Sequence, residues 1–238
     1  RVLPRRNALQ RQDEQRTKVF AANLDAVLFM VAVQPEFSDA LLGRALIACH
    51  VAGIAVTVAL NKTDLPEAAA ARARLAGYAA LGYDTLELCA RHSDSVQQLG
   101  ALLAGKTTLV LGGSGVGKST LINALVPEAR AATQALSAAL GGGRHTTTAT
   151  AAYALPGGGW LMDSPGFQSF GLQQVSASQL AEAFPEIRAL HGQCRFYNCT
   201  HLHEPGCAVL AAVTGGTMAA HRHALYAQIH AELEATAW

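Results

Sequence analysis

The chain has 238 residues with a net charge of +1, and 50% of them are apolar while only 15% are charged. That much apolar material suffices for a core, so wholesale disorder is excluded, and the length predicts one main domain with an appendage. The near-zero net charge argues against a surface that is basic all round and coats nucleic acid, and the longest strongly apolar stretch, residues 26–33, is too short to span a bilayer.

The N-terminal half alternates between two hydrophobic patterns. Residues 1–20 are basic at the start and predict the remnant of a strand followed by an exposed linker. Beyond Asp25, the predicted strands are apolar throughout and cover residues 26–32, 54–60, 85–89 and 107–111. The predicted helices alternate with them and cover residues 39–52, 66–81, 95–103 and 118–125. This alternation predicts an α/β fold with a mostly parallel sheet that helices cover on both faces.

The C-terminal half is less regular. Residues 129–148 have no clear period and predict a loop, whereas 153–155 and 160–162 flank a Pro/Gly-rich turn and predict the strands of a hairpin. A short helix is predicted at 178–184 and a helical tail at 217–235. Between these two helices lies a segment rich in cysteine and histidine.

One segment matches the phosphate-binding pattern G-x-x-x-x-G-K-[ST]. It consists of Gly112, Gly113, Ser114, Gly115, Val116, Gly117, Lys118, Ser119 and Thr120. Glycines let successive backbone N–H groups face one anion, Lys118 reaches the outer phosphates, and the Ser119 hydroxyl is placed to ligate Mg²⁺. A plain glycine-rich turn is the alternative, which the predicted strand before the motif and the predicted helix after it disfavour. The motif predicts nucleoside triphosphate binding without specifying the base.

The base is predicted from the residues that directly follow the second strand, namely Asn61, Lys62, Thr63 and Asp64. A carboxylate at a strand end, here Asp64, accepts hydrogen bonds from the ring N–H and the exocyclic amine of guanine, a pair that adenine lacks. Lys62 would pack its aliphatic stem along the base. Taken alone, these four residues are also compatible with a polar turn in which Asp64 caps the next helix.

Two further segments are predicted to contact the metal and the γ-phosphate. Asp163 follows a predicted strand and would hold the Mg²⁺ shell, and the N–H of Gly166 would touch the γ-phosphate. In the loop 143–148, Thr147 is the favoured Mg²⁺ ligand among three consecutive threonines. The base segment precedes the phosphate segment, which is a circular permutation of the order in an ordinary small GTPase.

The residue that orients the hydrolytic water is not where a Ras-like GTPase has it. Phe167 occupies the position of the usual glutamine, and an apolar ring has no group that orients water. We hypothesise that His145 takes this role when a partner presses its loop into place. An exposed loop histidine without a catalytic role is the alternative. Low basal GTPase activity is expected for the same reason.

Three cysteines and a histidine crowd into one short segment as Cys194, Cys199, His201 and Cys207. Three thiolates and an imidazole form a ligand set for closed, tetrahedral Zn²⁺, which predicts a structural metal. His191 and His203 are substitutes for His201, and reduced core cysteines are the alternative to a metal site. Such a cluster is typical of a reducing compartment, so the cytoplasm is expected.

In this unusual order, the segments resemble the RsgA/YjeQ family of GTPases that depend on the small ribosomal subunit. The resemblance covers nearly the whole chain and rests on residues 1–5, 61–64, 112–120, 143–148, 163–166 and 194–207. It implies a P-loop NTPase fold in three parts: the end of an OB-fold and a linker at 1–20, a circularly permuted GTPase domain at 21–172, and a mostly helical zinc domain at 173–238. It also implies a role in late 30S maturation, contact with 16S rRNA, subunit-stimulated hydrolysis and His145 as the catalytic residue. A monomer without membrane contact is expected.

The chain departs from the family pattern in three places. Most of the OB-fold is missing, Gly113 stands where Gln is common, and Cys89 stands where Ser is usual. Cys89 and Ala90 belong to the loop beside the base, and a backbone contact to the base oxygen would survive this change. Two other functions stay open at this point: a GTP-dependent signalling switch whose zinc lobe binds a protein, and an RNA-binding zinc module with a vestigial nucleotide site.

Overall fold

The computed structural model describes residues 4–12, 17–36, 38–129, 150–164 and 171–235. Within these ranges, no helix is both long enough and apolar enough to cross a bilayer.

The N-terminal segment forms a β-hairpin, which the sequence pattern does not predict. Strands β1 (Ala8–Gln12) and β2 (Thr17–Ala22) pair antiparallel. Leu9 and Phe20 are buried in the main core and anchor the hairpin against the rest of the chain. The basic residues of this segment suggested an exposed linker, whereas its buried apolar residues are what pack the strands against the core.

Six further strands form the central sheet: β3 (Ala26–Ala32), β4 (Ala55–Asn61), β5 (Asp84–Glu87), β6 (Thr107–Gly112), β7 (Ala151–Ala154) and β8 (Trp160–Asp163). Their order across the sheet is β5-β4-β3-β6-β8-β7. Neighbouring strands are parallel, except that β7 and β8 form an antiparallel hairpin. The predicted parallel sheet and the predicted hairpin are therefore confirmed.

Helices cover both faces of the sheet, which explains why its inner strands are largely apolar on both faces. Alternate residues of β3 belong to two separate cores, with Val27, Phe29 and Val31 in the first and Leu28, Met30 and Ala32 in the second. The first core includes residues of α1 (Asp39–Val51) and α2 (Ala68–Ala80), and the second those of α3 (Ser93–Leu103) and α4 (Lys118–Leu125). A parallel sheet needs this double cover because its strands are buried on both sides.

The C-terminal segment packs against the α1–α2 layer. Its helices are α5 (Ala177–Glu182), α6 (Pro185–Arg188), α7 (Ala208–Thr214) and α8 (Ala220–Ala235), of which the sequence pattern does not predict α6 and α7. Leu225 of α8 lies so close to Gly43 of α1 that a Cβ at Gly43 would be 2.4 Å from Leu225 Cδ2. Apolar side chains of all four helices join the core of α1 and α2. The C-terminal helices therefore share one core with the sheet.

A buried ion pair links α6 to α8 beside α2. Arg222 Nε donates to Glu186 Oε1 at 2.7 Å, and both side chains are less than one-tenth exposed. The guanidinium carbon also lies 4.7 Å from the ring centroid of Phe184 and 5.7 Å from that of Tyr78. Burial disfavours the cation, but Glu186 outweighs this and raises the pKa of Arg222.

Glu186→Ala should lower the free energy of unfolding by about 3–5 kcal/mol, because it leaves the Arg222 guanidinium buried without its carboxylate. Urea denaturation measures the change. The matched control is Glu87→Ala, which breaks the partly exposed pair between Arg72 and Glu87 and should cost no more than about 1 kcal/mol. Equal losses in the two variants would contradict the importance of burial.

Candidate functional site

The carboxyl ends of several strands meet at one edge of the sheet. β4 ends at Asn61, β6 at Gly112 and β8 at Asp163. The register of β3 places Ala32 opposite Asn61 and Met30 opposite Gly112. In open parallel α/β sheets, ligands bind outside this edge. The fold therefore brings together segments that are far apart along the chain.

The segment Gly112–Gly117, which we call the glycine loop, has a backbone that two of its glycines make possible. Gly112 has a φ of +144°, and a Cβ there would lie 2.4 Å from the carbonyl oxygen of Met30. Gly117 has a φ of +102°, and a Cβ there would lie 2.3 Å from Asn61 Nδ2. Helix α4 starts directly after the loop, so its unpaired N-terminal N–H groups adjoin it and favour an anion.

Lys118 is held against the glycine loop. Its ammonium donates to the carbonyl oxygens of Gly112 and Gly113, both at 2.8 Å. Burial lowers the pKa of Lys118, and the attraction of the Asp163 carboxylate opposes that shift. Burial likewise raises the pKa of Asp163, and Lys118 opposes it. The two groups are therefore a partly buried pair of opposite charge at the sheet edge.

Asn61 connects the glycine loop to the segment after β5. Its Nδ2 donates to the carbonyl oxygen of Val116 at 2.8 Å, and its Oδ1 accepts the N–H of Ala90 at 3.0 Å. Asn61 is 2% exposed, so both bonds form away from water. Their loss would leave two backbone groups without partners, which is costly where water is excluded. One carboxamide thus sets the relative positions of three segments.

These contacts border a cleft of about 330 Å³. Its lining residues are Gln34, Asn61, Lys62, Asp64, Leu65, Cys89, Ala90, Arg91, Gly115, Gly117 and Thr120. Asp64 therefore lies in the same cleft as the glycine loop, although α2, β5, α3 and β6 separate them along the chain. Gln34 and Leu65 are lining residues that sequence reasoning missed, whereas Arg91 belongs to the predicted loop beside the base. Gln34 follows β3, which lies between β4 and β6. Ligands bind outside the carboxyl ends of parallel strands, so the position of Gln34 after a predicted strand was the signal that points to it.

The residues after Asn61 contact neighbouring loops. Lys62 Nζ donates to the carbonyl oxygen of Gln34, and Thr63 Oγ1 donates to that of Leu88 at 3.1 Å. The thiol of Cys89 donates to Asp64 Oδ1 at 3.2 Å. That hydrogen bond is the main cause of a lowered pKa of Asp64, so the cleft presents an ionised carboxylate near neutral pH.

Part of the predicted site lies outside the described residues. His145, Thr147 and Gly166 are in this group, so their predicted roles stay predictions. Among the remaining predicted residues, Ser114, Ser119 and Thr120 are exposed at the glycine loop and the start of α4.

A second cluster lies in the C-terminal segment, where one donor atom from each of four residues comes within 4.8 Å of the others: Cys194, Cys199, His201 and Cys207. The sulfurs of Cys194 and Cys207 lie 3.5 and 3.6 Å from His201 Nδ1 and 4.0 Å from each other. Tetrahedral sulfur ligands at about 2.3 Å from zinc are separated by about 3.8 Å, so the donors match a closed site in type and spacing. His203 is exposed and His191 pairs with Glu182 at 2.9 Å, so the structure brings neither substitute into the cluster.

The loop that carries these donors has its own polar support. Glu204 accepts the backbone N–H of Thr200 at 2.7 Å and also its hydroxyl. Burial acts to raise the pKa of Glu204, but these and other hydrogen bonds lower it well below its usual range. His223 Nε2 hydrogen-bonds the carbonyl oxygen of His201 at 2.7 Å, and the Tyr226 hydroxyl donates to that of Thr200 at 2.9 Å. Sequence reasoning missed this support, although Glu204 is the one acidic residue between the first and last cluster cysteines.

Burial shifts the pKa of two side chains of the cluster. Burial raises the pKa of Cys199 to about 12 and lowers that of His201. A neutral imidazole is ready to ligate a metal, whereas the thiol must lose its proton, which a bound divalent cation favours. Metal binding at this cluster would therefore release protons and weaken in acid.

Comparisons of the sequence with known proteins agree with this geometry. The family model described as RsgA GTPase matches residues 2–173. A small ribosomal subunit biogenesis GTPase RsgA of Burkholderia pseudomallei (strain 668) is 56% identical over 228 residues, which are 94% of this chain and 73% of the relative. The protein of the same name from Bordetella pertussis (strain Tohama I) is 54% identical over 231 residues, which are 96% of this chain and 77% of the relative.

Two solved structures share the fold over nearly the whole chain. YjeQ from Thermotoga maritima superposes with a TM-score of 0.75 at 29% identity, covering 98% of this chain and 77% of the other. YloQ, described as a circularly permuted GTPase, gives a TM-score of 0.74 at 29% identity, covering 98% and 74%. The sequence of this chain likewise predicts a circularly permuted order of segments.

Proposed function

This chain belongs to the RsgA GTPase family, and from that premise we propose that it binds and hydrolyses GTP and acts in the maturation of the small ribosomal subunit. The observation that carries the proposal is the shared cleft. Asp64 and the glycine loop line one cavity, and Asn61 hydrogen-bonds two of its walls. This arrangement suits a ligand with a guanine-like base at one end and phosphates at the other.

The phosphate end is proposed to bind at the glycine loop and the start of α4. The residues concerned are Gly112, Gly113, Ser114, Gly115, Val116, Gly117, Lys118, Ser119 and Thr120. Lys118 would exchange its two carbonyl acceptors for phosphate oxygens. That exchange is favourable because a phosphate oxygen carries negative charge and attracts the ammonium more strongly than a neutral carbonyl oxygen does.

The base end is proposed to bind between Asp64 and the loop Cys89–Arg91, with the stem of Lys62 along the ring. An adenine here would leave the Asp64 carboxylate without its two donors, so the cleft favours guanine. The Ala90 N–H already donates to Asn61. A backbone contact to the base oxygen therefore requires either a shift of Asn61 or the neighbouring N–H of Arg91.

The proposed Mg²⁺ ligands are Ser119 and Thr147, with Asp163 in the surrounding shell. Their donor atoms are the oxygens that a hard cation prefers, and Ser119 is exposed at the start of α4 where phosphates would lie. The metal would neutralise charge on the phosphates. Gly166 is proposed to contact the γ-phosphate through its N–H.

His145 is proposed to orient the attacking water, because Phe167 has no polar group for this task. The loop with His145 is proposed to position this water only when a partner contacts the loop. We therefore expect low turnover without the partner. The partner proposed is the small ribosomal subunit, which the names of the relatives support. Contact with its 16S rRNA is part of the same proposal.

Three parts of the chain are proposed to divide the work. Residues 1–20 belong to an N-terminal unit, residues 21–172 form the GTPase domain, and residues 173–238 form a domain held by structural Zn²⁺. Strand β2 crosses the boundary between the first two parts. The proposed ligands of the zinc are Cys194, Cys199, His201 and Cys207. The protein is proposed to act in the cytoplasm as a monomer.

GTP turnover in the presence of ribosomal subunits tests the proposal. Small subunits should raise the rate well above the basal rate, whereas large subunits and bare rRNA should not. His145→Ala should abolish the stimulated rate, because the water then loses its orienting group. Turnover that responds to none of the three additions would favour a signalling switch. An unchanged stimulated rate in His145→Ala would refute the proposed role of His145 without refuting the GTPase function.

Asp64→Asn should shift base preference from guanosine to xanthosine diphosphate, since the amide N–H donates to the C2 oxygen of xanthine. The ratio of the two Kd values should change by at least about tenfold, as expected when a donor or acceptor that the bound base covers loses or gains a partner. Glu67→Gln is the matched control, because this exposed carboxylate follows Asp64 closely in sequence but does not line the cleft. The same ratio in Asp64→Asn and wild type would rule out the assigned role.

Protein purified without chelator should contain about one zinc ion per chain, and Cys199→Ser or Cys207→Ser should lose it because three donors no longer close the tetrahedron. Elemental analysis measures the content. Cys49→Ala is the control, since this cysteine is buried in α1 and does not belong to the cluster. A metal-free wild-type chain would refute the zinc assignment.

A further inference from the structure

A second cavity, of about 650 Å³, lies beside the cleft proposed for GTP. Its walls come from side chains within residues 90–104, from Ala124 and Leu125 of α4, and from the turn 155–157 between β7 and β8. We call it the α3–α4 groove. Its volume falls in the range of about 300–1,000 Å³ that is usual for small-molecule sites. The function proposed above uses only the wall at Ala90 and Arg91, which the two cavities share.

Packing of the surrounding elements sets the shape of the groove. A Cβ on Gly100 would lie 3.4 Å from Leu125 Cδ2, so α3 and α4 are in contact there. A Cβ on Gly157 would lie 3.1 Å from that of Ala104, so the turn closes against the end of α3. Apolar side chains of α3 and α4 also belong to the second core of the sheet. The walls are therefore fixed before a ligand binds, as in most small-molecule sites.

The polar side chains of the lining lie near the start of α3. Arg91, His92 and Gln97 are exposed, and their side chains make no hydrogen bond or ion pair with the other residues that the structure describes. All three can donate hydrogen bonds, and Arg91 also carries a positive charge. An imidazole donates in either protonation state. This end of the groove therefore offers several unused donors.

The acidic residues nearby do not neutralise this end. Asp94 is the one acidic residue of α3, and it accepts the hydroxyl of Ser93 at 3.3 Å instead of lining the groove. Arg91 attracts the Asp64 carboxylate in the neighbouring cleft and helps to lower its pKa, but the two side chains form no ion pair within the described part of the chain. Among the described residues, no carboxylate lines the groove. Its polar end therefore favours an anion.

The rest of the groove is apolar. Beyond Gln97 its lining includes Ala101, Ala104, Leu155 and Pro156. A helix rises 1.5 Å per residue, so α3 provides a wall about 16 Å long with donors at its start and apolar groups toward its end. A ligand that is charged at one end and apolar along the rest of its length matches this distribution.

We propose that the α3–α4 groove is a binding site for a small amphipathic anion. Its acidic group binds Arg91, His92 and Gln97, and its aromatic or aliphatic body lies against Ala101 and Leu155. The concave shape suits a small molecule, since a stable protein interface buries about 1,200 Å² or more and extends well beyond one such cavity. This inference does not rest on the proposed function, because none of its arguments requires the neighbouring cleft to bind GTP.

The probe for the test is anilinonaphthalene sulfonate, which has aromatic rings and one negative charge and fluoresces in apolar sites. Its Kd for the full chain is measured by fluorescence titration. Ala101→Leu should raise this Kd at least about tenfold, because the leucine side chain takes the space of the rings and the dye would overpack the groove. Ala124→Leu fills the same groove from α4 and should have the same effect. Ala70→Leu, at an exposed alanine of α2 outside the groove, is the matched control.

The charge of the ligand is tested at Gln97, which lines the groove, with its exposed neighbour Gln98, which does not, as the control. Gln97→Glu should raise the Kd of the sulfonate dye about two- to fivefold and Gln97→Lys should lower it as much, the range for one partly exposed charge pair. The same changes at Gln98 should have smaller effects. Phenylnaphthylamine, which lacks the sulfonate, should respond to Ala101→Leu but not to the charge at Gln97.

The same Kd in Ala101→Leu, Ala124→Leu and wild type would overturn the inference, as would a wild-type chain that binds no dye. Equal responses of the two dyes to the charge at Gln97 would overturn the assignment of an anion. Self-association of the wild type that Ala101→Leu abolishes in sedimentation would assign the groove to a second copy of the chain instead. Neither Gln97 nor Ala101 lines the cleft proposed for GTP, so these results decide the inference whether or not that cleft binds GTP.

Discussion

Two hydrogen bonds of the Asn61 carboxamide hold the candidate site together. They tie the end of β4 to the glycine loop through Val116 and to the segment after β5 through Ala90. Because Asn61 is buried, water cannot replace either partner, and loss of either bond leaves a buried backbone group unpaired. Asn61 also explains Gly117, since any side chain there would collide with the carboxamide nitrogen.

The order of strands makes this contact possible despite the permuted order of segments. β3 lies between β4 and β6, so loops that follow these strands emerge side by side wherever they stand along the chain. Register, rather than sequence proximity, places Asn61, Gly112 and Asp163 at one edge. A permuted chain can therefore build the same cleft, because hydrogen bonding between strands does not depend on which strand comes first.

The C-terminal helices are attached at a different place from the cleft. They pack on α1 and α2 through Leu225 against Gly43 and through the buried pair of Arg222 and Glu186. The cluster of three cysteines and His201 lies in the same C-terminal segment, and Glu204 and Tyr226 hydrogen-bond the loop that carries it. Since these helices share a core with α1, a movement of the cluster relative to the sheet would have to break apolar packing, which is costly.

Apolar periodicity and three short motifs, read from the sequence alone, determined the parallel sheet, most helix bounds, the glycine loop and the Cys/His cluster, because these depend on local pattern and fixed spacing. Periodicity did not identify the hairpin that Leu9 and Phe20 anchor, nor α7 inside a segment that metal-type residues dominate. Only the tertiary structure decided that Asn61 bridges two loops, that Cys89 donates to Asp64, and that Arg222 is buried against Glu186. Each of these contacts joins residues from different elements, and no local pattern records which distant group will lie within hydrogen-bonding distance once the cores have formed.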